Sequence, residues 1–512
     1  IHYKRGKQMK KLVAGLLTAV ALLAMSACGA DQKNTAQTSS STKESAEVSS
    51  GASEQVYTDP KEMKESYDVV IIGAGGAGMA AAIEVKDTGL NTVILEKMPV
   101  AGGNTSKSSS GMNASETKFQ KEEGIKDSND AFYEETLKGG GGTNDKEILR
   151  YFVDHSADAV DWLDQNGIKL DNLTITGGMS EKRTHRPSDG SAIGGYLVEG
   201  LLNNVHEREI PIFVNADVTD IKKNGETVNE VTVHVQGEEP KEVTGKAIVV
   251  TTGGFGASKE FIEKYRPDLA DYITTNQEGS TGDGITMIEK LGGQTVDMDK
   301  IQIHPTVQQD EGVLIGEVVR GEGAILVDQE GKRFVNEMDT RDKVSAAITA
   351  LPEKSAYLIF DQGVRDRATA IEFYDQKGYV TTGKTMEELA EKIDLPKETL
   401  AKTVDGWNTD VAEKKDAQFN RATAMEHDLS SPNYYAIKIA PGIHYTMGGV
   451  KINTNTEVLD KENQPIRGLY AAGEVTGGLH GNNRIGGNSV AEIIIFGRQA
   501  GIQAARFASE NE

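Results

Sequence analysis

Residues 67–78 read YDVVIIGAGGAG, and after a small, helix-favouring segment residues 92–97 read TVILEK. The apolar, β-branched run before the glycines is typical of a buried parallel strand. Gly73, Gly75 and Gly78 have the GxGxxG spacing. The first glycine permits a tight turn, the second lets a pyrophosphate approach the backbone, and the third lets the following helix pack closely on the strand. Together these features predict an α/β fold with a Rossmann-like dinucleotide-binding domain.

Several residues beyond the loop are candidate cofactor contacts. A second apolar strand ends in Glu96, about twenty residues after the glycines, where a carboxylate can bond a ribose hydroxyl. Adjacent glycines after a strand let the backbone pass close to a cofactor. In the first half of the chain the candidates are Gly73, Gly75, Gly76, Gly78, Glu96, Gly102, Gly103, Asn104, Thr105 and Gly253.

Residues 212–221, 228–235 and 243–252 have the alternation of strands, which predicts a small antiparallel layer. The last of these segments is apolar and ends in glycines. It suits a strand that returns to the nucleotide-binding sheet.

Composition excludes several classes of protein. At 512 residues the chain can bury a sizeable core and hold more than one domain. The formal net charge of −23 argues against nucleic-acid binding, which needs a basic surface. The single cysteine, Cys28, excludes an intramolecular disulfide framework and a thiolate-held iron–sulfur cluster, and no CxxCH motif for covalent haem is present. No metal site is predicted, and electrons must come from another molecule.

The N-terminal residues have the layout of a secretory signal. Met9-Lys10-Lys11 precedes an apolar run over residues 12–25 and then the small residues before Cys28. The end of this segment resembles the lipobox of bacterial lipoproteins, which implies cleavage before Cys28 and acylation of its thiol. Residues 1–8, which precede Met9, are then interpreted as translated upstream sequence. The alternative is a membrane-spanning helix, but the run is shorter than the ~20 residues required. The signal predicts an extracytoplasmic protein anchored by lipid to the cell membrane.

Residues 29–65 are predicted to be a tether, because they are rich in Ser, Thr, Gln, Glu, Lys and Ala. Within the tether, residues 47–53 read EVSSGAS and resemble the motif at which flavin transferases attach FMN through a phosphoester. By that resemblance Ser53 would be the acceptor. A Ser-rich tether also produces such a sequence by chance, so covalent FMN and a plain tether both remain open.

The second contact with a dinucleotide comes near the end of the chain. Residues 468–474 read GLYAAGE, and a strand that runs into Gly-Glu is typical of flavoproteins with two dinucleotide-binding segments. Glu474 would lie near the ribityl chain or phosphates of FAD. Ser489 stands at the start of the final helix, whose N-terminus favours negative charge on the flavin. The predicted FAD-binding domain therefore comprises residues 66–298 and 445–512, and an α+β capping domain of residues 299–444 is inserted between them.

Six short segments carry the polar groups of the insertion and its surroundings. They are HPT at 304–306, EVVRG at 317–321, TRDK at 340–343, HYTMGG at 444–449, AAGEVTGG at 471–478 and HGNNRIGGN at 480–488. Glycine and proline breaks flank several of them, which predicts loops that present side chains to a site. With these segments, residues 66–508 resemble the soluble fumarate reductases of the flavocytochrome c type, here without a haem domain.

The resemblance implies reduction of an α,β-unsaturated carboxylate, most simply fumarate to succinate in anaerobic respiration. Flavin N5 would deliver hydride to one alkene carbon. His304 would hold one carboxylate, and His444 and Arg484 the other. Arg341 would donate the proton, which Glu317 and Arg320 would then restore; an arginine acid is unexpected, because arginine stays protonated in proteins. These roles are implied by the family and not by spacing.

Two departures from the family bear on the substrate. Gly316 stands where the family usually has a threonine that helps to hold a carboxylate, and Leu314 replaces a methionine. A roomier pocket is therefore expected, with a urocanate-, methacrylate- or cinnamate-type acid as the alternative substrate. Urocanate reductases lack a histidine at the position of His304, so this residue favours a dicarboxylate.

Cofactor attachment and electron supply follow from the same comparison. The membrane-bound fumarate reductases carry FAD on a histidine near residues 102–107, and no histidine occurs here, so non-covalent FAD is expected. The electron donor is open between a membrane quinol oxidase, a diffusible flavin and FMN on Ser53. A flavoprotein that only carries electrons, without catalysis, is the remaining alternative.

Overall fold

The structure is a computed structural model that describes residues 56–511. Cys28 and Ser53 lie outside the described residues. The strands β1 to β19, in chain order, are Ser66–Ile72, Thr92–Leu95, Met112–Asn113, Asn172–Thr174, Thr184–Arg186, Ile212–Phe213, Ala216–Asn224, Thr227–Val235, Lys241–Val250, Thr295–Val296, Ile301–Gln308, Val313–Leu314, Ile325–Val327, Ala356–Asp361, Thr381–Gly383, Tyr434–Thr446, Gly449–Val450, Glu457–Leu459 and Pro465–Ala471. The helices α1 to α15 are Gly76–Asp87, Lys118–Glu122, Asn129–Gly139, Lys146–Asp154, Ser156–Gln165, Ile193–Glu207, Lys259–Tyr265, Asp283–Lys290, Val318–Gly321, Arg341–Thr349, Gln362–Arg367, Ile371–Gln376, Met386–Lys392, Lys397–Glu413 and Asn488–Glu510.

The opening stretch of sequence forms the centre of the largest sheet. Its path runs β18-β19-β9-β1-β2-β6. The strands β19, β9, β1, β2 and β6 are parallel neighbours, and β18 adds an antiparallel edge. Val69, Val70 and Ile71 of β1 are fully buried, as expected for a parallel strand covered on both faces. The predicted strand–loop–helix–strand unit is confirmed.

Helix α1 is covered by the last helix of the chain. Residues 76–83 of α1 are buried, and most of them are glycine or alanine. A side chain at Gly497 of α15 would place its Cβ only 2.6 Å from the carbonyl oxygen of Ala77. Small residues on both helices therefore let the C-terminus of the chain pack against the helix that follows the glycine loop.

The predicted antiparallel layer is present, but its first strand is divided. Residues 212–213 form β6, which pairs in parallel with β2, whereas β7 begins at Ala216 and pairs with β8. Asn215 between them has a φ of +50°, which breaks the run expected over 212–221. β8 then pairs with β9, which returns to the central sheet beside β1, as predicted.

A second sheet and a second apolar cluster lie in the inserted part of the sequence. The sheet has the order β12-β11-β16-β14-β13, with β15 also on β16. The apolar cluster takes its buried residues from 315–439, separate from the cluster around β1. The long strand β16 connects this inserted part to the FAD-binding part of the sequence, because β16 ends at Thr446, where residues 445–512 of the predicted FAD-binding domain begin.

Two observations concern the start of the described chain and the membrane. Thr58 donates a backbone hydrogen bond to Ile212 (2.9 Å), and the amide of Ala101 donates to the hydroxyl of Tyr57 (2.9 Å), so part of the segment assigned to the tether contacts the domain. Across residues 56–511, no helix has the length and apolar character needed to span a bilayer.

Candidate active site

The glycine loop after β1 is shaped by contacts that exclude larger residues. Gly73 has a φ of +104°, and a Cβ on it would lie 2.4 Å from the carbonyl oxygen of Thr251. A Cβ on Gly78 would lie 2.0 Å from the carbonyl oxygen of Gly73. Contacts this short would push the neighbouring backbone segments apart if either glycine carried a side chain. The loop therefore has the tight turn and the close helix packing that the spacing predicts.

A cleft opens at this loop. Nine of the predicted cofactor residues line it, namely Gly73, Gly75, Gly76, Glu96, Gly103, Asn104, Thr105, Gly253 and Glu474. Three do not: Gly78 packs under the loop, Gly102 turns the backbone at φ +121°, and Ser489 accepts a hydrogen bond from Nη1 of Arg484 (3.1 Å). The cleft thus joins the two segments that the sequence assigns to FAD.

Glu96 has the position of a ribose-binding carboxylate. Its two oxygens accept hydrogen bonds from the backbone amides of Ala74 and Met98, both at 2.8 Å. These bonds fix the carboxylate at the rim of the glycine loop, although burial raises its pKa. A carboxylate held in this way leaves lone pairs for hydroxyl donors, which fits the predicted FAD.

A loop that the sequence analysis did not identify completes the cleft. The side-chain nitrogen of Asn104 donates to Oδ1 of Asn276 (2.7 Å) and Oγ of Ser280 (3.0 Å). The side-chain oxygen of Asn104 accepts from the backbone amide of Gln277 (2.8 Å). The side-chain nitrogen of Asn104 also lies 3.5 Å from Glu474. Residues 276–280 therefore position Asn104, and nothing in their local sequence marks that role.

Glu474 is a buried titratable group in the cleft. It accepts a hydrogen bond from the backbone amide of Thr446 (3.1 Å). Burial raises its pKa to about 7, and the hydrogen bond from Thr446 and the charge of Arg484 only partly oppose this rise. The side chain is therefore divided between its acid and carboxylate forms near neutral pH.

We expect this titration to appear in FAD binding. Above its pKa of about 7, Glu474 places a negative charge in the cleft that receives the FAD phosphates, so FAD affinity should rise as the pH falls from 8 to 6, by at most about tenfold per unit. Glu474→Gln should remove this dependence, whereas the exposed control Glu238→Gln should keep it. Fluorescence titration of the apoprotein with FAD measures both; equal slopes for wild type and Glu474→Gln would contradict the assignment.

His304 and His444 meet on neighbouring strands and not on the loops that the sequence predicts. His304 lies in β11 and pairs with Gly442 of β16, two residues before His444. The rings stand edge to face with centroids 5.3 Å apart. The pairing of β11 with β16 shifts register on both sides of His304, and such bulges re-aim side chains beside active sites.

Both histidines are held as neutral rings. Burial, followed by the charges of Arg341 and other nearby arginines, keeps the pKa of each well below its usual range. The amide of Thr306 donates to Nδ1 of His304 (3.2 Å), so the ring proton is on Nε2. That Nε2 is buried and has no hydrogen-bond partner among residues 56–511. His444 shares a hydrogen bond with the hydroxyl of Thr275 (2.7 Å) through Nδ1.

Arg341, Glu317 and Arg320 form a buried chain of charges. Nε of Arg341 donates to Glu317 at 2.7 Å, and Nη2 of Arg320 lies 3.6 Å from the same carboxylate oxygen. Glu317 also accepts from the hydroxyl of Thr176. Burial alone would raise the pKa of Glu317, but the charges of Arg341 and Arg320 and these hydrogen bonds lower it to about 2. The three residues therefore contact each other in the order that the family implies.

Arg484 is buried near Arg341 and has side-chain donors that are not used within the described residues. Its guanidinium lies over the ring of Tyr445, 4.1 Å from the centroid, and Nη1 donates to Ser489. Nε and Nη2 are buried without a partner in the described residues. Burial, and then the charge of Arg341, lower the pKa of Arg484 to about 10, so the group stays cationic at pH 7. Unsatisfied buried donors of this kind indicate a missing anionic partner.

Gln302 connects Arg341 with the backbone of Arg484. Its side-chain oxygen accepts from Nη1 of Arg341 (3.0 Å), and its nitrogen donates to the backbone oxygen of Arg484 (2.6 Å). The residue stands two positions before His304 on β11. Nothing in the local sequence of Gln302 indicates this role.

This chain is similar to known flavoproteins in sequence and fold. The FAD binding domain family matches residues 68–490. The NADH:fumarate oxidoreductase of Klebsiella pneumoniae (strain 342) is 53% identical over 444 residues, which cover 87% of this chain and 48% of that protein, so the chain spans about half of its length. The fumarate reductase (cytochrome) of Shewanella frigidimarina is 42% identical over 467 residues, which cover 91% of this chain and 82% of that protein.

A solved structure gives the same result for the fold. The open conformation of a flavocytochrome c3 fumarate reductase aligns with a TM-score of 0.72 at 41% identity, and the alignment covers 88% of this chain and 79% of that chain. The predicted α/β class, with an FAD-binding fold and a capping domain, is confirmed. The chain belongs to the FAD binding domain family and, within it, to the FAD-dependent oxidoreductases related to the flavocytochrome c-type fumarate reductases.

Proposed function

We propose that this protein reduces the carbon–carbon double bond of a small α,β-unsaturated dicarboxylate, with fumarate as substrate and succinate as product. One observation carries the proposal: Nε2 of His304 and Nε and Nη2 of Arg484 are buried donors without partners within residues 56–511, and both groups are close enough to Arg341 for its charge to lower their pKa. A dicarboxylate supplies acceptors to both groups at once. The names of the related fumarate reductases support the same substrate class.

The cationic side chains would bind and polarise the acid. Arginine suits this task because its planar fork binds a carboxylate with two parallel hydrogen bonds and keeps its charge. Because the ring of His304 is neutral, its Nε2–H group adds a hydrogen-bond donor without adding the extra proton of a charged imidazolium. Fixed donors aimed at a carboxylate stabilise the negative charge that develops on the substrate during reduction.

FAD, when bound in its reduced form, would supply the hydride, and the protein would supply the proton. Arg341 has two nitrogens engaged, Nε with Glu317 and Nη1 with Gln302. Its Nη2 makes no hydrogen bond in the described chain and is the atom that we assign as the proton donor. The donated proton forms the second new C–H bond, so hydride and proton together saturate the alkene.

The low pKa of Glu317 is compatible with a relay. The value of about 2 belongs to the state in which Arg341 and Arg320 are charged. When Arg341 gives up its proton, the largest lowering charge disappears and burial raises the pKa of the carboxyl group. Glu317 can then take a proton from Arg320, whose own pKa burial lowers to about 10, and return it to Arg341, and solvent then supplies a proton to Arg320.

Anaerobic mixing tests the proposal. Protein reduced with a dye or dithionite is exposed separately to fumarate, urocanate, methacrylate and cinnamate, and reoxidation of the flavin is followed by absorbance. Fast reoxidation by fumarate alone supports the proposed substrate. Faster reoxidation by another acid would make that acid the substrate in place of fumarate, within the same class of reaction. No reoxidation by any of the acids would favour an electron-carrying protein over an enzyme.

The cellular setting remains a proposal from the sequence. The signal layout and Cys28 support a lipid-anchored protein outside the cytoplasm, where a membrane quinol oxidase, a diffusible flavin or FMN on Ser53 could deliver electrons. Mass spectrometry of the intact protein from membranes tests both modifications. A mass without acyl groups rejects the anchor, and a mass without an FMN phosphoester rejects Ser53 as the donor site.

A further inference from the structure

Ser109 fills the space that Gly316 leaves. A roomier pocket is expected at Gly316, because the family usually has a threonine there. In the structure a Cβ on Gly316 would lie 3.0 Å from Oγ of Ser109 and 3.3 Å from its Cβ. The hydroxyl that Gly316 lacks is therefore provided at the same place by a residue from a different part of the chain.

The backbone of Ser109 is fixed on both sides. The carbonyl oxygen of Ser108 accepts from the amide of Gly194 (2.9 Å), and that of Ser110 accepts from the amide of Ile193 (3.1 Å). The carbonyl oxygen of Ser109 itself accepts from Nη1 of Arg186 (3.2 Å). Three consecutive carbonyl groups are thus bonded, so the Ser109 side chain has a defined direction.

The hydroxyl of Ser109 is buried and makes no hydrogen bond of ordinary geometry in the described chain. Its neighbour is the hydroxyl of Tyr374, which accepts from the amide of Gly316 at 2.9 Å. Burial raises the pKa of Tyr374, and the Gly316 amide, the charge of Arg186 and the Ser109 hydroxyl oppose that rise. The Ser109 hydroxyl therefore lies beside Tyr374 but remains available to donate to an acceptor on a ligand.

Backbone pairing connects this corner to His304. The amide of Ile315, next to Gly316, donates to the carbonyl oxygen of Thr306 (2.9 Å), and the hydroxyl of Thr306 donates back to Ile315 (2.7 Å). Thr306 in turn fixes the ring of His304 through its amide. Gly316, against which Ser109 lies, therefore follows a residue that pairs with Thr306, the residue that fixes the His304 ring.

We propose that Ser109 donates a hydrogen bond to the substrate carboxylate at the His304 end, and that the Ser109–Gly316 pair sets the size and polarity of the acid admitted there. Arg186 and Tyr374 act as positioning residues for Ser109 and Gly316. This inference rests on the proposed reduction of an unsaturated acid. It assigns the selection of substrate at that end to a residue outside the inserted segment.

Exchange of the hydroxyl between the two positions tests the pair. Ser109→Ala should lower kcat/KM for fumarate by about 10- to 100-fold, since a hydrogen bond to a charged group is lost, with FAD content unchanged. Gly316→Thr alone should also lower it, because the added atoms meet Ser109. The double variant Ser109→Gly/Gly316→Thr should recover most of the activity, which a merely structural role would not produce.

A binding measurement separates affinity from chemistry. Titration of the oxidised flavoprotein with malonate, an unreactive dicarboxylate, should show weaker binding for Ser109→Ala in the flavin difference spectrum, while Ser110→Ala, whose hydroxyl bonds to Gly111, should bind as wild type does. Unchanged kcat/KM and unchanged malonate affinity in Ser109→Ala would overturn the role. If wild type reduces another acid but not fumarate, the proposed substrate fails; the variants are then assayed on that acid, and an unchanged kcat/KM again overturns Ser109.

Discussion

Replacement of Arg341 by alanine is expected to lower the rate of fumarate reduction by about 10²- to 10⁴-fold, the range that a positioned general acid contributes. The reason is geometric: Nε and Nη1 of Arg341 are anchored on Glu317 and Gln302, so Nη2 is held in the pocket with little freedom. Arg341→Lys should recover little, because one ammonium group cannot keep both anchors and also present a third donor. Stopped-flow oxidation of the reduced flavin by fumarate measures the step directly.

Two controls separate the loss of an acid from the loss of structure. The surface variant Arg208→Lys, which alters an exposed pair with Asp87, should behave as wild type. Because Arg341→Ala leaves Glu317 buried without its main partner, the double variant Arg341→Ala/Glu317→Gln should restore stability but not activity. Wild-type turnover in either Arg341 variant with FAD bound would refute the assignment.

The parts of the fold that could be predicted depend on local sequence. The strand Val69–Ile72 and the glycine spacing after it are short-range signals, and Glu96 follows at a fixed distance along one βαβ unit. A break such as Asn215 is also local, but its left-handed conformation has no reliable sequence signal, so the run 212–221 was wrongly predicted to be a single strand.

The pocket could not be derived from local pattern. His304 and Arg341 acquire meaning only through neighbours that are distant in sequence: Thr176 bonds Glu317 across 141 residues, and Thr275 bonds His444 across 169. Family resemblance named the candidate side chains because it carries this long-range information. It did not supply the partners that orient them, nor Ser109, because these contacts join segments that are far apart in the sequence.

The expectation of catalytic loops failed for a physical reason. His304 and His444 need the rigidity of paired strands, since a neutral ring must point one nitrogen at its ligand without rotating. The bulges around His304 change its direction while the pairing on either side holds the backbone. The Pro305 break after His304, read as a loop signal, therefore marks an irregular strand.

Arg484 is expected to dominate binding of the substrate. Arg484→Gln should raise the KM for fumarate by about 10²- to 10³-fold, because loss of one partner from a buried charged pair costs about 2–5 kcal/mol. The guanidinium is already oriented by Tyr445 and Ser489, so wild type pays little ordering entropy when the carboxylate arrives. Arg484→Lys keeps the charge but loses the two parallel donors, and we expect an intermediate KM.

The matched control for Arg484 is Ser489→Ala, which removes one contact of the guanidinium but keeps its stacking on Tyr445 and its two free donors. Its KM should rise far less than that of Arg484→Gln. Malonate titration should show the same order of affinities, since it reports binding without reduction. If Arg484→Gln lowers kcat at unchanged KM, the residue acts only on the transition state, and the assignment of Arg484 as the carboxylate anchor is wrong.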